Sequence, residues 1–278
     1  MFEAYLIHLL ILVGIYFILA ISLQLSMGYT GLLNLGHIAF YCIGAYTSAL
    51  LVINGFPYLL AFLLSGIVAL IFGYLLSLPT NKLKGDYLAL STMAFTYLIY
   101  AVALNWSSLT RGPLGIPGIP KPEIFGIVIS DITILGYKIS NLGFLIFTII
   151  VCLLTYYIIK KIVDSPFGKT LEATRDDELS ARTLGKNTFK IKAISLMISA
   201  FFAGIAGSLY AHYITFIDPS SFNLLQLIPA LSIVILAGLA SLKGTIAASF
   251  IIVLLPEPLR FIGFPSSIVG PARQILFA

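Results

Sequence analysis

The sequence predicts an all-α fold: a polytopic transmembrane helix bundle with about eight spanning or partly spanning helices. Two observations carry that prediction. Of 278 residues, 59% are hydrophobic and only 10% charged, and the mean hydropathy is +1.05, which leaves too little polar surface to cover a water-soluble globule. The apolar residues also fall in continuous runs of about 20, a length at which a helix satisfies its own backbone hydrogen bonds across a bilayer. A barrel would show strict alternation instead.

In chain order the runs lie at about 5–25, 36–53, 58–78, 86–104, 141–160, 193–213, 225–242 and 244–262. The first begins at Tyr5 with no Lys or Arg before it and is too long for a signal-peptide core, so it is expected to stay as the first helix. Orientation follows from the cations, which resist translocation. The connection after the fifth run holds Lys160, Lys161, Lys169, Arg175, Arg182, Lys186, Lys190 and Lys192, half of the chain's sixteen. It is expected inside, with Lys82 and Lys84, and the N-terminus outside. The loop at about 105–140, with Arg111, Lys121 and Lys138, falls outside, as does the connection at 214–224. The net charge of +5 is therefore a positive-inside signature and implies no nucleic-acid partner. The whole chain, 1–278, reads as one transmembrane domain with a cytoplasmic segment at about 161–190.

Between the runs, Gly112-Pro-Leu-Gly-Ile-Pro-Gly-Ile-Pro120 is predicted as a shaped outer loop, because proline fixes φ and glycine opens conformations closed to other residues. It reads equally as a lid, a docking surface or a compact connector. Stripes of small residues let helices approach closely in lipid: Ala200, Gly204 and Ser208; Ala203, Gly207 and Ala211; Gly244 and Ala248. Gly238 is assigned the same packing role. These stripes fit packing within one subunit or a subunit interface. Leu35-Gly-His-Ile-Ala39 and Lys243-Gly-Thr-Ile-Ala247 echo each other weakly ahead of helices, too briefly to establish an inverted repeat.

No enzyme signature stands out. Gly168-Lys169-Thr170 ends like a phosphate-binding loop, but Val163 occupies the position where that motif needs its first glycine. ATP binding by this chain alone is excluded on that ground, and no cofactor is expected. His8, His37 and His212 are widely separated and lack the paired spacing of a metal site. Cys42 and Cys152 sit inside apolar runs as small lipid- or core-facing residues. Asn34 and His37 follow a glycine-punctuated break, and Ser91 and Thr92 enter an apolar helix. Each could line a polar path or serve only structure. Asp86 is expected to cap the helix it begins.

The inner segment is the most informative. On a helical projection Leu171, Thr174, Ala181 and Leu184 share one side, interrupted by Asp177 and Glu178, with Leu179 elsewhere. Gly185 is placed to stop that helix. A partner could use the face, although a solvated connector would explain the charges as well.

Three blocks, in order, resemble the permease subunits of branched-chain amino acid ABC transporters of the LivM type. The first is Gly28-Tyr-Thr-Gly-Leu-Leu-Asn-Leu-Gly-His-Ile-Ala-Phe40 with Ile43-Gly-Ala-Tyr-Thr47. The second runs from Lys84-Gly-Asp-Tyr-Leu-Ala-Leu90 through Asn105-Trp106 to the Gly-Pro loop. The third holds Arg175-Asp-Asp-Glu178, Leu184-Gly185, Ala203-Gly-Ile-Ala-Gly-Ser-Leu-Tyr210, Val234-Ile-Leu-Ala-Gly-Leu-Ala-Ser241 and Leu255-Pro-Glu257. The resemblance implies the ABC importer permease fold, working with a second permease subunit, two cytoplasmic ATPase subunits and an external solute-binding protein in a prokaryotic membrane. Leu171, Glu172, Ala173, Arg175, Asp176, Glu178, Leu184 and Gly185 would then be the ATPase-coupling element. The implied substrate is an aliphatic amino acid. Urea, amides or other amino acids are alternatives within the family, and a self-contained secondary carrier or channel is the alternative outside it. Members of this family usually run past the Arg260–Arg273 region into a further apolar helix, whereas the sequence given stops at Ala278, so a shortened or truncated chain is expected.

Overall fold

The computed structural model describes residues 2–80, 83, 85–124, 127–129, 132–134, 137–139 and 141–257. Its helices are α1 (Phe2–Leu23), α2 (His37–Ile53), α3 (Tyr58–Thr80), α4 (Asp86–Asn105), the single turn α5 (Ser107–Thr110), α6 (Leu142–Val163), α7 (Pro166–Asp176), α8 (Glu178–Thr183), α9 (Thr188–Ile214), α10 (Ile228–Ala237) and α11 (Leu242–Leu254). Six short strands are β1 (Ile116–Pro117), β2 (Glu123–Ile124), β3 (Ile127–Val128), β4 (Ile132–Ile134), β5 (Tyr137–Ile139) and β6 (Phe216–Ile217).

The apolar runs are helical over most of their described length, except that the run at 225–242 breaks in a turn after Ala237. Five stretches are long and apolar enough to cross a membrane: Glu3–Tyr29, Tyr58–Thr80, Asp86–Asn105, Leu142–Val163 and Thr188–Ile214. Three shorter apolar helices, His37–Ile53, Leu224–Ala237 and Leu242–Leu254, complete the set. The last run beyond Glu257, the Arg260–Arg273 region, Lys82 and Lys84 lie outside the described residues.

Burial sorts the helices into layers. The apolar windows of α9 and α1 are 72% and 67% buried, against 28–39% for those of α3, α4 and α6. The central helices are thus wrapped by helices whose outer faces are left for lipid. Close backbone approach makes this possible: α9 packs most extensively on α3 and α2, where a Cβ on Gly44 would overlap the Gly204 backbone and one on Gly207 would overlap the Tyr41 carbonyl. Gly204 also faces Ser65 O and Ala69 of α3. Small residues on the α9 stripes therefore pack within the subunit. Gly238 does not share that role. It ends α10 with φ 80°, and a Cβ there would meet nothing within 4 Å; the left-handed turn explains this glycine.

Two local expectations are corrected. Gly85, not Asp86, is the N-cap residue of α4, without a side-chain cap bond; Asp86 opens the helix, where its charge complements the positive end of the dipole. The inner segment is two helices and not one. Asp177 adopts an extended φ/ψ of −152° and 103° and caps α8, so the continuous projection fails at the acidic pair that interrupts it.

The Gly-Pro loop is a ledge fixed to the C-terminal end of α9. β1 pairs antiparallel with β6, Ile116 opposite Ile217. Ile119 N donates to Thr215 O at 3.1 Å, and His212 Nδ1 lies 2.8 Å from Pro120 O. Beyond the ledge, β2–β3 and β4–β5 form two small antiparallel pairs.

Candidate functional site

The site is built where the inner segment meets a break in α1. Ser165 caps α7, its Oγ accepting from Gly168 N at 3.4 Å, with Pro166 in the first turn as helix starts favour. Asp177 Oδ1 accepts from Leu179 N at 2.9 Å and Ser180 N at 3.2 Å. Gly185, at φ 76°, closes α8 as its position predicts, and Lys186 N reaches back to Ala181 O at 3.1 Å in the pattern of a helix-terminating turn.

Glu178 ties α8 to α9. Its Oε1 accepts from Arg182 Nη2 at 2.6 Å and Thr188 Oγ1 at 3.1 Å, and its Oε2 from Lys192 Nζ at 2.7 Å. Lys192 is almost enclosed, its side chain 9% exposed. Burial pushes the Glu178 carboxyl pKa up, but the hydrogen bond and charge of Lys192, joined by Thr188 and Arg182, outweigh it and hold the carboxyl below its ordinary range. By contrast, the Lys169–Glu172 pair, 3.2 Å apart with Lys169 largely exposed, contributes little.

Leu171, Thr174 and Ala181 face inward and are buried, so three of the four residues expected to share an apolar docking face are used by the chain itself. Leu184 and, against the projection, Leu179 are the exposed apolar side chains, at 78% and 64%. Ala173 and Asp176 are exposed beside them. Arg175 turns the other way: its Nη1 donates to Gly28 O at 2.9 Å while its Nε donates to Asp176 Oδ1 at 2.9 Å.

Gly28 belongs to a π-helical turn, Gln24–Tyr29, that ends the first span. Widening a helix frees carbonyls that lipid cannot satisfy, and α9 and the end of the turn supply the donors. Ser199 Oγ of α9 donates to Ser22 O at 2.6 Å, and Leu25 O accepts from Thr30 Oγ1 at 2.9 Å and from Ser195 Oγ of α9 at 3.4 Å. After this turn the chain runs back into the bundle without helix until His37. There His37 Nε2 lies 2.9 Å from Ser22 Oγ and 3.1 Å from Leu19 O, so α2 begins well above the inner end of α1.

Of the four residues considered for a path, Asn34 and Thr92 border one small cavity together with Thr80, Leu88 and Lys192, whereas His37 and Ser91 are not in its lining. Asn34 Oδ1 accepts from Gly36 N at 3.0 Å, His37 is fully buried, and Thr92 and Thr96 brace the extended stretch through Leu35 N and Leu35 O. Ser91 is half-buried. His8, at 2.6 Å from the Tyr213 hydroxyl, joins α1 to α9.

Sequence reasoning missed Gln24 and Tyr29. Gln24 Nε2 donates to Gly238 O at 2.6 Å and the Tyr29 hydroxyl to Ala240 O at 2.7 Å, fixing the turn between α10 and α11. The available signal was a lone amide inside the first apolar run, where a polar group is costly and marks a specific contact.

A family model described as "Branched-chain amino acid transport system / permease component" matches residues 5–276. The chain is 37% identical to the high-affinity branched-chain amino acid transport system permease protein LivM of Salmonella typhimurium, covering 88% of this chain and 61% of that protein. It is 36% identical to LivM of Escherichia coli with the same coverage. To the probable branched-chain amino acid transport permease protein LivM of Methanocaldococcus jannaschii it is 24% identical, over 76% of this chain and 68% of that protein. The chain thus spans about three-fifths of the length of the first two relatives. No solved structure gives a significant match.

Proposed function

The chain belongs to the branched-chain amino acid transport permease family, and from that premise we propose that it is the membrane-spanning subunit of an ATP-driven importer of aliphatic amino acids. It forms the path with a second permease subunit, receives substrate from an external solute-binding protein, and is driven by two cytoplasmic ATPase subunits. The observation that carries this reading is the inner segment α7–α8: a capped, charge-rich pair of helices, anchored to α9 by Glu178 and to the α1 break by Arg175, presenting Leu179 and Leu184 outward. An apolar pair on an otherwise charged cytoplasmic surface suits a protein partner.

In this reading Leu179, Leu184, Ala173 and Asp176 touch the ATPase. Glu172, Glu178 and Arg175 carry its movement inward, Leu171 seats α7 on the bundle, and Gly185 releases the chain into α9. Closure of the ATPase dimer shifts α7–α8 and exchanges outward for inward access, because the two states bind the ATPase differently. A secondary carrier would need an ionisable group at mid-depth. Among the described residues the spans carry Asp, Glu, Lys and Arg only near their ends.

The test is to purify the chain with its cognate subunits after replacing Leu179 and Leu184 together by Asp. ATPase co-purification and uptake are expected to fall at least about tenfold, the loss of one or two buried leucines. Unchanged association would sink the docking assignment. A Glu172→Ala/Arg175→Ala double replacement is expected to spare association and lower uptake.

A further inference from the structure

The π turn of α1 does three things at once. Gln24 and Tyr29 hold the carbonyls of Gly238 and Ala240, the Gly28 backbone lies against the same turn, with Ala240 N 2.8 Å from where a Gly28 Cβ would sit, and Gly28 O receives Arg175 from α7. The turn it holds is strained at one residue: beside Gly238, whose φ of 80° suits glycine, Ala240 has a φ of 61°, and a non-glycine residue keeps the left-handed region only where its surroundings impose it.

Gln24 is also half used. It is fully buried, its Nε2 is bonded, and its Oε1 has no partner among the described residues. A buried amide oxygen without a donor is destabilising, so this arrangement satisfies the side chain only in part. The oxygen and the Ala240 amide both border the space beside Gly28, at 3.0 Å and 2.8 Å from the position of its absent Cβ. A small shift of the turn would exchange a bond given by Gln24 Nε2 for one received by Gln24 Oε1.

We propose that Gln24 and Tyr29 are positioning residues for translocation: they latch the Gly238–Ala240 turn in one of two positions, and α7 releases it through Arg175 and Gly28. The proposal rests on the reading of α7–α8 as the ATPase dock. In the latched state both bonds hold. When the ATPase pulls α7, the Gly28 carbonyl loses Arg175, the π turn relaxes, and the inner ends of α10 and α11 move together.

The test uses the full assembly in proteoliposomes with its binding protein. A Gln24→Met/Tyr29→Phe chain keeps side-chain size and removes both donors. Its complex is expected to hydrolyse ATP within twofold of the parent while uptake per ATP falls at least tenfold. An unchanged ratio of uptake to hydrolysis overturns the latch, since a merely structural role would lower both together. A second measurement avoids the variant: spin labels at Leu239→Cys and Ser180→Cys, with Cys42 and Cys152 replaced by Ala, report the distance from the turn to α8. That distance is expected to differ between nucleotide-free and vanadate-trapped complexes. A parental complex that imports with a fixed distance overturns the latch alone, whereas one that fails to import overturns the transport reading and the latch with it.

Discussion

Lys192 places an ammonium group at the inner start of α9 with its side chain 9% exposed, and Glu178 is the carboxylate that makes that tolerable. Removing one partner of an enclosed pair costs more than replacing both, because it strands the other charge. Glu178→Gln is expected to destabilise the chain by about 1–3 kcal/mol, and Glu178→Gln with Lys192→Met by less, both read as thermal unfolding in detergent. The pH dependence has a definite sign. A carboxyl whose folded pKa is lowered stabilises the fold above its unfolded value, and that contribution is lost as pH falls through the folded value. The stability difference between parent and Glu178→Gln should therefore shrink on acidification below the ordinary carboxylate range, and a difference growing in acid would contradict the arrangement. In the sequence Glu178 was legible as a charge in the segment after the fifth apolar run. Its partner was not, because Thr188 and Lys192 fall beyond a glycine stop and meet it only once α8 and α9 fold back on each other.

Two kinds of glycine sit in the helices, and substitution separates them. Gly207→Leu must push α9 away from the Tyr41 carbonyl, which exceeds the roughly 1–3 kcal/mol of ordinary overpacking because backbone has to move; loss of folded protein by size-exclusion in detergent is expected. Gly238→Ala meets open space and pays only for a backbone at φ 80° and ψ 143° that L residues rarely adopt, about 1–3 kcal/mol, so the folded yield should survive. The small-residue spacing on α9 was readable from the sequence because its period matches a helix face. Gly238 was misread because a lone glycine near a helix end looks the same whether it packs or turns. The inner segment shows the complementary case. Asp177 was visible as an interruption of the apolar side, but whether an acidic residue interrupts a face or caps a new helix depends on its backbone, which a projection assumes in advance. Asp177→Ala is expected to loosen α8 by about 0.5–2 kcal/mol, seen as faster protease nicking between α7 and α9.

Across the whole molecule, contacts mark the two ends of the bundle. Tyr58 packs edge-to-face on His212 at one end of the bundle, Arg175 meets Gly28 at the other, and Tyr5 bonds Glu257 where the chain after α11 returns beside the start of α1. In intact cells an impermeant thiol reagent is expected to label Ser108→Cys from outside and to reach Ser180→Cys only after permeabilisation; the reverse pattern would invert the topology. The apolar helices were legible because hydropathy reports them directly. Depth was not: the late start of α2 and the ten residues of α10 are set by the hydroxyls of α9 and by Gln24 and Tyr29, which no window along one segment can see. The close seating of α2 and α3 on α9 also sets an order in time. Gly44 and Gly66 are inserted well over a hundred residues before Gly204 and Gly207, which at roughly 5–20 residues per second leaves their grooves waiting in lipid for about seven to thirty seconds. During that interval the early helices have no partner for their narrowest faces, so the nascent chain is most open to mispairing or to a membrane chaperone before α9 emerges.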